Sequence, residues 1–203
     1  MLELLVATQN KGKVREYQRL LDGLDVRVIG LGDVGLDQLD VEEVGTTFAV
    51  NALIKAQAYA EASGHIALAD DSGLVVDALD GAPGVYSARY GEAHFDDAGR
   101  RAYLLEQLRD VPAEARSARF RCVIAIYDPY QERAYTVSGA CEGQILNAER
   151  DGGQGFGYDA VFQPAGYSIS FAELPAEEKN RISHRGVAAH NLPAILAQLQ
   201  NKT

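Results

Sequence analysis

The chain has 203 residues and a formal net charge of −10, with 47% hydrophobic and 24% charged residues. This length suits one domain, or one domain with two lobes, and the composition is ordinary for a globular protein. The acidic excess argues against a general nucleic-acid-binding protein, which needs surplus Lys and Arg against phosphate backbones. No apolar run approaches the roughly 20 residues of a membrane helix, and the N-terminus lacks a signal-peptide pattern. We therefore expect a cytoplasmic protein with neither nucleic acid nor membrane as a partner.

The hydrophobic pattern predicts short strands alternating with helices, which is typical of an α/β protein. In chain order we expect a strand over 2–7, a helix over 12–24, a strand over 26–29, a helix over 46–63 capped by Thr46 or Thr47, and a strand leading to Asp70. These are followed by a helix from Asp96 or Asp97 to Arg109, strands over 120–127, 134–145 and 160–162, and an amphipathic segment over 187–200 interrupted by Pro193. The strand-rich stretch over 117–146 favours a mixed sheet over a purely parallel one.

Two adjacent carboxylates, Asp70 and Asp71, follow the apolar run 66–68 and precede a second apolar run, 74–76. Buried carboxylates are costly without a cationic partner, and ligands of α/β proteins bind at the ends of strands. A divalent cation prefers carboxylate oxygens, so this pair points to phosphate chemistry. Because successive strand residues face opposite sides, we expect only one of the two carboxylates to face the site.

A polar loop, Thr8-Gln9-Asn10-Lys11-Gly12-Lys13, joins the first predicted strand to the first helix. Free backbone N–H groups at a helix N-terminus, together with Lys13, suit a polyphosphate. The loop is not a Walker A sequence, because it has no leading glycine and Val14 replaces the magnesium-binding Ser or Thr. A polar turn with a capping Thr or Asn is the alternative interpretation.

Two further groups of residues can be interpreted together with this pair of carboxylates. Glu42 and Glu43 precede the long helix, where carboxylates are favourable in any protein, but beside Asp71 they could complete a magnesium site. Lys55 lies in the middle of that helix, where a lysine is most often simply solvated. We therefore assign it a role only by its association with the other residues.

The segment 153–159 interleaves glycines with Phe156 and Tyr158. Glycines let the backbone approach a flat ligand, and an aromatic ring can stack on a nucleobase. A hairpin or bulge that sends Phe156 into the core is the alternative. Arg and His side chains such as those of His184 and Arg185 can donate to carbonyl groups on a base.

Taken in order, these segments resemble the inosine/xanthosine triphosphate pyrophosphatase family. The likeness covers nearly the whole chain and is carried by seven segments: Thr8-x-Asn10-x-x-Lys13-x-x-Glu16, Glu42-x-x-Gly45-x-Thr47-Phe48, Asn51-Ala52-x-x-Lys55-Ala56, Ala69-Asp70-Asp71-Ser72-Gly73-Leu74, 81–90, Gly155-Phe156-Gly157-Tyr158-Asp159 and Ser183-His184-Arg185-Gly186. Each segment alone is a weak signal, whereas seven in order are specific. Val50 departs from the family pattern, which often has a glutamate there.

The resemblance implies an α/β fold in which 1–203 form a single two-lobed domain. A long mixed β-sheet is flanked by helices, with an active site in a central cleft. It also implies a homodimer that uses Mg2+ to cleave ITP, XTP and their deoxy forms between the α- and β-phosphates. The products are the nucleoside monophosphate and pyrophosphate.

The same resemblance implies roles for individual residues. Asp71 is the metal-associated residue that activates water, Glu42 is a second metal ligand, and Lys13 and Lys55 hold the polyphosphate. The other expected phosphate contacts are Thr8, Gln9, Asn10, Lys11, Gly12 and Ser72. The expected base and sugar contacts are Phe156, Gly157, Tyr158, Asp159, Lys179, His184 and Arg185.

Donors at the purine 6-position would select a keto oxygen over the amino group of ATP. Two alternative functions stay open. One is a Maf-like pyrophosphatase of modified pyrimidine or methylated nucleotides. The other is a nucleotide-binding protein without turnover, which the missing acid at Val50 would favour. Substrate panels and product analysis distinguish all three.

Overall fold

The computed structural model describes residues 1–200, which form strands and helices in alternation. The strands are β1 (Leu2–Val6), β2 (Val26–Gly30), β3 (Ile66–Val76), β4 (Ser117–Asp128), β5 (Arg133–Ile145) and β6 (Phe162–Pro164). The α-helices are α1 (Lys11–Leu20), α2 (Phe48–Ser63), α3 (Asp97–Gln107), α4 (Ala176–Ile182), α5 (His184–Ala189) and α6 (Leu192–Gln200). Within residues 1–200, every helix is too short or too polar to span a lipid bilayer.

The strands form one sheet in the order β2-β1-β3-β4-β5-β6. Strand β1 pairs in parallel with both β2 and β3, whereas β5 and β6 are antiparallel. Parallel neighbours need a crossover connection, and helix α1 lies in the β1–β2 connection while α2 lies in the β2–β3 connection. The sheet is therefore mixed and accompanied by helices, which confirms the predicted fold class.

The chain divides into two compact units. The first contains residues 1–71, 122–139 and 185–200. In this unit β1 sends alternate side chains to two apolar cores. Leu4 and Val6 pack into a core with residues of α1 and α6, whereas Leu5 and Ala7 pack into a core with residues of α2. Burial on both faces explains why the sequence of β1 is almost continuously apolar.

The second unit contains residues 72–121 and 140–184, and it has a core of its own. Three phenylalanine rings meet there, with the centroid of Phe120 at 4.8 Å from that of Phe162 and 5.8 Å from that of Phe171. Leu104 of α3 is fully buried against the same cluster. This core supports the segments that carry the aromatic residues of the site.

Two predicted helices are confirmed together with their caps. Thr47 is the N-cap of α2 and its side chain accepts a hydrogen bond from the N–H of Val50, while Gly64 ends the helix with φ +71°. A glycine is favoured there because few other residues adopt a positive φ. Asp96 is the N-cap of α3, and its side chain accepts from the N–H of Gly99.

Other boundaries differ from the predictions. Helix α1 ends at Leu20, well before residue 24, and α4 occupies a segment for which no helix was predicted. The expected strand end at Asp70 is also wrong, because β3 runs without a break to Val76. Charges in the middle of a strand are tolerated here because cationic side chains compensate them, as the next section describes.

Candidate active site

Asp70 and Asp71 are adjacent on β3 and their side chains contact different helices of the first unit. Asp70 Oδ2 lies 3.8 Å from Cys122 Sγ, a side chain of the core that α1 helps to form. Asp71 Oδ2 accepts a 3.0 Å hydrogen bond from Asn51 Nδ2 on α2. The two side chains diverge, as the alternation of a strand predicts.

Asp70 is fully buried and fixed by cations. Its Oδ2 lies 3.1 Å from Lys13 Nζ and 3.0 Å from Arg185 Nη2, and Arg185 also forms an ion pair with Glu16. Burial alone would raise the pKa of Asp70, but the charges of Lys13, Arg185 and Lys55 outweigh it and hold the pKa well below its usual range. Asp70 is therefore a permanent anion that orients Lys13 and Arg185.

Asp71 has the opposite electrostatic character. Burial raises the pKa of Asp71, and this effect outweighs the opposing charge of Lys55 and the hydrogen bond from Asn51. The negative charge of Glu43 raises the pKa further. A carboxylate with a raised pKa is a stronger base than an ordinary aspartate, which suits it to accept a proton from water.

Helix α2 holds the surroundings of Asp71 in place. Asn51 is fully buried, and its Oδ1 accepts a 2.8 Å hydrogen bond from the N–H of Gly45. A Cβ at Gly45 would lie only 2.5 Å from that oxygen, so the glycine permits this approach. One turn further on, Lys55 Nζ lies 2.5 Å from Glu43 Oε1 and 2.9 Å from the Asp70 carbonyl oxygen.

The two glutamates before α2 have different surroundings. Glu43 pairs with Lys55 and lies close enough to Asp71 to raise its pKa, whereas Glu42 is exposed. Successive residues of an extended segment point to opposite sides, which separates the two glutamates.

Sequence reasoning quoted Asn51 within a motif but gave it no role. Asn51 and Lys55 are four residues apart on a helix, so they share one face. This spacing could have indicated a role for Asn51, because it places the Asn51 amide beside Lys55, which was already expected at the site. Glu16 had the same kind of signal, since it follows Lys13 by three residues on α1.

The loop over residues 8–13 is a capped turn in this structure. Asn10 is the N-cap of α1, and its Oδ1 accepts from the N–H groups of Gly12 at 2.8 Å and Lys13 at 3.3 Å. The N–H of Asn10 donates to Thr8 Oγ1 at 3.2 Å. The expectation of free N–H groups is therefore wrong for these three, because polar side chains of the loop itself satisfy them.

Two other residues of the loop have different surroundings. Gln9 Nε2 donates to the carbonyl of Leu39 at 3.2 Å. Lys11 is exposed at the first position of α1. Ser72, the remaining expected phosphate contact, is a half-buried residue of β3 that belongs to the second unit.

A second group of expected residues comes together in the second unit. Lys179 Nζ lies 2.6 Å from Asp159 Oδ2 and 5.3 Å from the centroid of the Phe156 ring. The same Asp159 oxygen accepts a 2.8 Å hydrogen bond from the N–H of Phe156. At Gly155, where φ is +84°, a Cβ would overlap the Asp159 carboxylate, so the turn needs glycine. Phe156 itself is half-buried.

The last expected base contacts have unequal surroundings. The ring of His184 stacks on Phe120, with centroids 4.8 Å apart and an interplanar angle of 15°. Tyr158 is a core residue, and its hydroxyl donates to the Ser87 carbonyl at 2.9 Å. Arg185 lies in the first unit with Asp70 rather than with Lys179 and His184.

The carboxylates around Lys55 fit a divalent cation that arrives with a phosphate ligand. Within residues 1–200, no three His, Cys, Asp or Glu side chains are grouped as a metal site. Mg2+ usually needs only one or two protein carboxylates, because waters and substrate phosphates complete its coordination. Asp71 and Glu43 supply such a donor pair.

A buried carboxylate of raised pKa beside a lysine, in a mixed α/β fold, is an arrangement that suits a hydrolase of nucleoside phosphates. The Ham1 family is the more specific assignment: its family model matches residues 4–195, and the chain belongs to this family. This match confirms the resemblance seen in the sequence.

Individual relatives agree with the family match. A dITP/XTP pyrophosphatase of Desulforamulus reducens is 51% identical over 198 residues, which cover 98% of this chain and 97% of the relative. A protein of the same name from Geobacter sulfurreducens is 52% identical over 188 residues and 93% of each chain. The solved structure of a HAM1 protein from Coxiella burnetii is 41% identical, with a TM-score of 0.87 over 98% of this chain and 100% of that one.

Proposed function

We propose that this chain hydrolyses ITP, XTP and their deoxy forms to the monophosphate and pyrophosphate. The proposal is carried by the placement of Asp71, a buried carboxylate of raised pKa beside Lys55 and Glu43. The names of the relatives support the substrate class, because they are dITP/XTP pyrophosphatases. This activity would remove non-standard purine nucleotides from the nucleotide pool.

In the proposed reaction the side chain of Asp71 accepts a proton from the attacking water. The water oxygen forms a bond to the α-phosphorus, and the bond from that phosphorus to the bridging oxygen breaks. The bridging oxygen leaves with the β- and γ-phosphates as pyrophosphate, whose charge Lys13 and Lys55 help to stabilise. Asp70 positions Lys13, and Asn51 positions Asp71. Such positioning supplies most of the rate enhancement of a phosphoryl-transfer enzyme.

We propose Mg2+ as the cation, held by Asp71 together with Glu43, or by Glu42 as the family resemblance implies. The ion, when bound, neutralises phosphate charge and lowers the pKa of a nearby water. The oxygen-only donor set supports a hard cation over a softer transition metal.

The base would bind in the second unit. Phe156 offers a ring for stacking, while Lys179 and His184 offer donors to a 6-keto group. We further propose that residues 1–203 act as one domain, that the protein is a homodimer and that it is cytoplasmic. The family resemblance supports the dimer, and the free thiols of Cys122 and Cys141 are compatible with a reducing compartment.

The test is to incubate the protein with ITP, XTP, ATP, dTTP or UTP and Mg2+, and to identify the products by chromatography. We expect monophosphate and pyrophosphate from ITP and XTP, and little from the other three. In oxygen-18-labelled water the label should enter the monophosphate, because the α-phosphorus is attacked. Asp71→Asn, made in parallel, should release no product.

Three results would contradict the proposal. Release of single phosphate groups would exclude a pyrophosphatase, and preferential turnover of dTTP or UTP would favour the Maf-like alternative. Tight binding of ITP without product, with either Mg2+ or Mn2+, would leave a nucleotide-binding protein.

A further inference from the structure

Helix α3 holds the backbone next to Phe156 within the second unit. Asp97 Oδ2 accepts a 2.9 Å hydrogen bond from the N–H of Gly157, and Arg101 Nη1 donates a 2.9 Å hydrogen bond to the Gly157 carbonyl. Asp97 and Arg101 are four residues apart, so they project from the same face of the helix. One helix face therefore binds both backbone polar groups of a single glycine.

The backbone at this position needs such restraint. Gly155 and Gly157 both have positive φ, at +84° and +61°. Glycines lose more conformational freedom on folding than any other residue. Fixing the ring of Phe156, which lies between two glycines in the chain, therefore has an entropic cost. The hydrogen bond from Phe156 N–H to Asp159 fixes one side of the ring, and the contacts from α3 fix the other.

The groups around Asp97 keep its carboxylate ionised, which is the form that accepts the hydrogen bond from the Gly157 N–H. Burial would raise the pKa of Asp97, but hydrogen bonds from Arg100 and from the Gly157 N–H outweigh it and lower the pKa. Arg100 Nη2 lies 2.6 Å from Asp97 Oδ1, which leaves Oδ2 for Gly157. Arg101 is balanced by Glu149, whose Oε2 lies 3.0 Å away.

We propose that Asp97 and Arg101 are positioning residues that set the affinity for the purine base by fixing the loop over residues 155–159, called here the Phe156 loop. Neither residue belongs to the segments that carry the family resemblance. The inference rests on the proposed function, in which Phe156 stacks on the base. Because the two side chains act through Gly157, they affect the base end of the substrate and not the phosphate end.

The experiment compares two ligands that represent the two ends of the substrate. Binding of inosine monophosphate and of inorganic pyrophosphate, each with Mg2+, is measured by calorimetry for the wild type, Asp97→Ala, Arg101→Gln and the double variant. We expect each single change to weaken inosine monophosphate about tenfold, since each removes a hydrogen bond to a charged group. Pyrophosphate affinity should stay within about twofold, and KM for ITP should rise in step with the loss of monophosphate affinity.

A matched control lies on the same helix and its C-terminal continuation. Glu106 and Arg109 are exposed and form an ion pair with atoms 2.6 Å apart, with no hydrogen bond to the Phe156 loop. Glu106→Ala and Arg109→Gln should leave both affinities unchanged. Arg101→Lys keeps an N–H donor and a positive charge, so it should restore most of the affinity lost in Arg101→Gln.

The outcomes separate this inference from the proposed function. Equal weakening of both ligands would indicate general damage to the fold and overturn the inference, as would unchanged monophosphate affinity or a wild type that binds no monophosphate. If Asp97→Ala does not fold, Arg101→Gln and Arg101→Lys decide the matter. A wild type that binds inosine monophosphate but does not cleave ITP would overturn the proposed function and leave the test of the positioning role intact.

Discussion

Asp70 and Asp71 are neighbours in the chain, yet their pKa values move in opposite directions. Burial acts on both carboxylates, and Asp70 has two cationic side chains, Lys13 and Arg185, in direct contact. Oδ2 of Asp71 accepts a hydrogen bond from the neutral amide of Asn51, while Lys55 pairs with Glu43. The side of β3 on which each carboxylate lies thus separates a fixed counter-ion from a base.

The first prediction compares the stabilities of Asp70→Asn and Asp71→Asn. A lowered folded-state pKa means that ionised Asp70 stabilises the fold above the ordinary aspartate pKa near 4, so Asp70→Asn should destabilise at pH 7 by about 3 kcal/mol or more. This difference should shrink as the pH falls below about 4. Urea unfolding at several pH values, in a chelator, measures it.

Asp71→Asn should behave in the opposite way in the same experiment. A raised folded-state pKa means that the ionised form is disfavoured in the fold, and this cost appears as the pH rises through the folded pKa. At pH 7 Asp71→Asn should therefore be more stable than the wild type, with the difference vanishing below about pH 4. A less stable Asp71→Asn at pH 7 would contradict the electrostatic assignment.

The second prediction concerns the two glutamates before α2. Glu43 pairs with Lys55 near Asp71, whereas Glu42 is exposed, so the two form a matched pair of equal charge. Glu43→Gln should raise the Mg2+ concentration for half-maximal ITP hydrolysis at least tenfold, and Glu42→Gln should leave it nearly unchanged. A larger effect from Glu42→Gln would contradict this prediction and would favour Glu42 as the metal ligand, as the family resemblance implies.

At the scale of elements, the first turn of α2 explains the departure at Val50. Thr47 is the N-cap, and Val50 is the third helical residue and is 45% exposed. A glutamate at that position completes a capping box, in which it accepts from the N–H of the cap residue. Helix capping is thus one physical reason for the glutamate that the family resemblance implies at this position.

The third prediction follows from this position. Val50→Glu should raise the free energy of unfolding by about 0.3–1 kcal/mol, because it adds a cap and places a negative charge at the helix N-terminus. Val50→Gln is the control that adds the hydrogen bond without the charge. Thermal unfolding at low and high salt separates the two contributions, and no stabilisation in either variant would exclude the capping explanation.

The elements also show what the sequence could and could not predict. The N-caps Thr47 and Asp96 were among the predicted candidates because capping depends on local residue types. The continuity of β3 and the helix carrying Lys179 were not visible, because they depend on partners distant in the chain. Arg185 and Asp70 are 115 residues apart, so no local pattern could reveal that the first neutralises the second.

At the scale of the whole molecule, a net charge of −10 has to coexist with a polyanionic substrate. The chain has 19 Lys and Arg against 29 Asp and Glu, so attraction for a triphosphate depends on local placement. Lys13 and Lys55 are both largely buried, and buried charges are less screened by salt than surface charges. The binding of the phosphate end should therefore depend only weakly on ionic strength.

The last prediction uses Asp71→Asn as a protein that binds substrate without consuming it. A ligand that binds only the folded state stabilises it by RT ln(1 + [L]/Kd), about 2.7 kcal/mol at a hundredfold excess over Kd. With Mg2+ held constant, ITP should raise the unfolding temperature of Asp71→Asn in proportion to the logarithm of its concentration, and ATP should do so far less. Adding Lys13→Ala should weaken the response to ITP and to pyrophosphate equally, because the proposed role of that lysine is to hold the phosphates that both ligands share. A Lys13→Ala variant that lost the response to ITP but kept the response to pyrophosphate would remove Lys13 from the phosphate site.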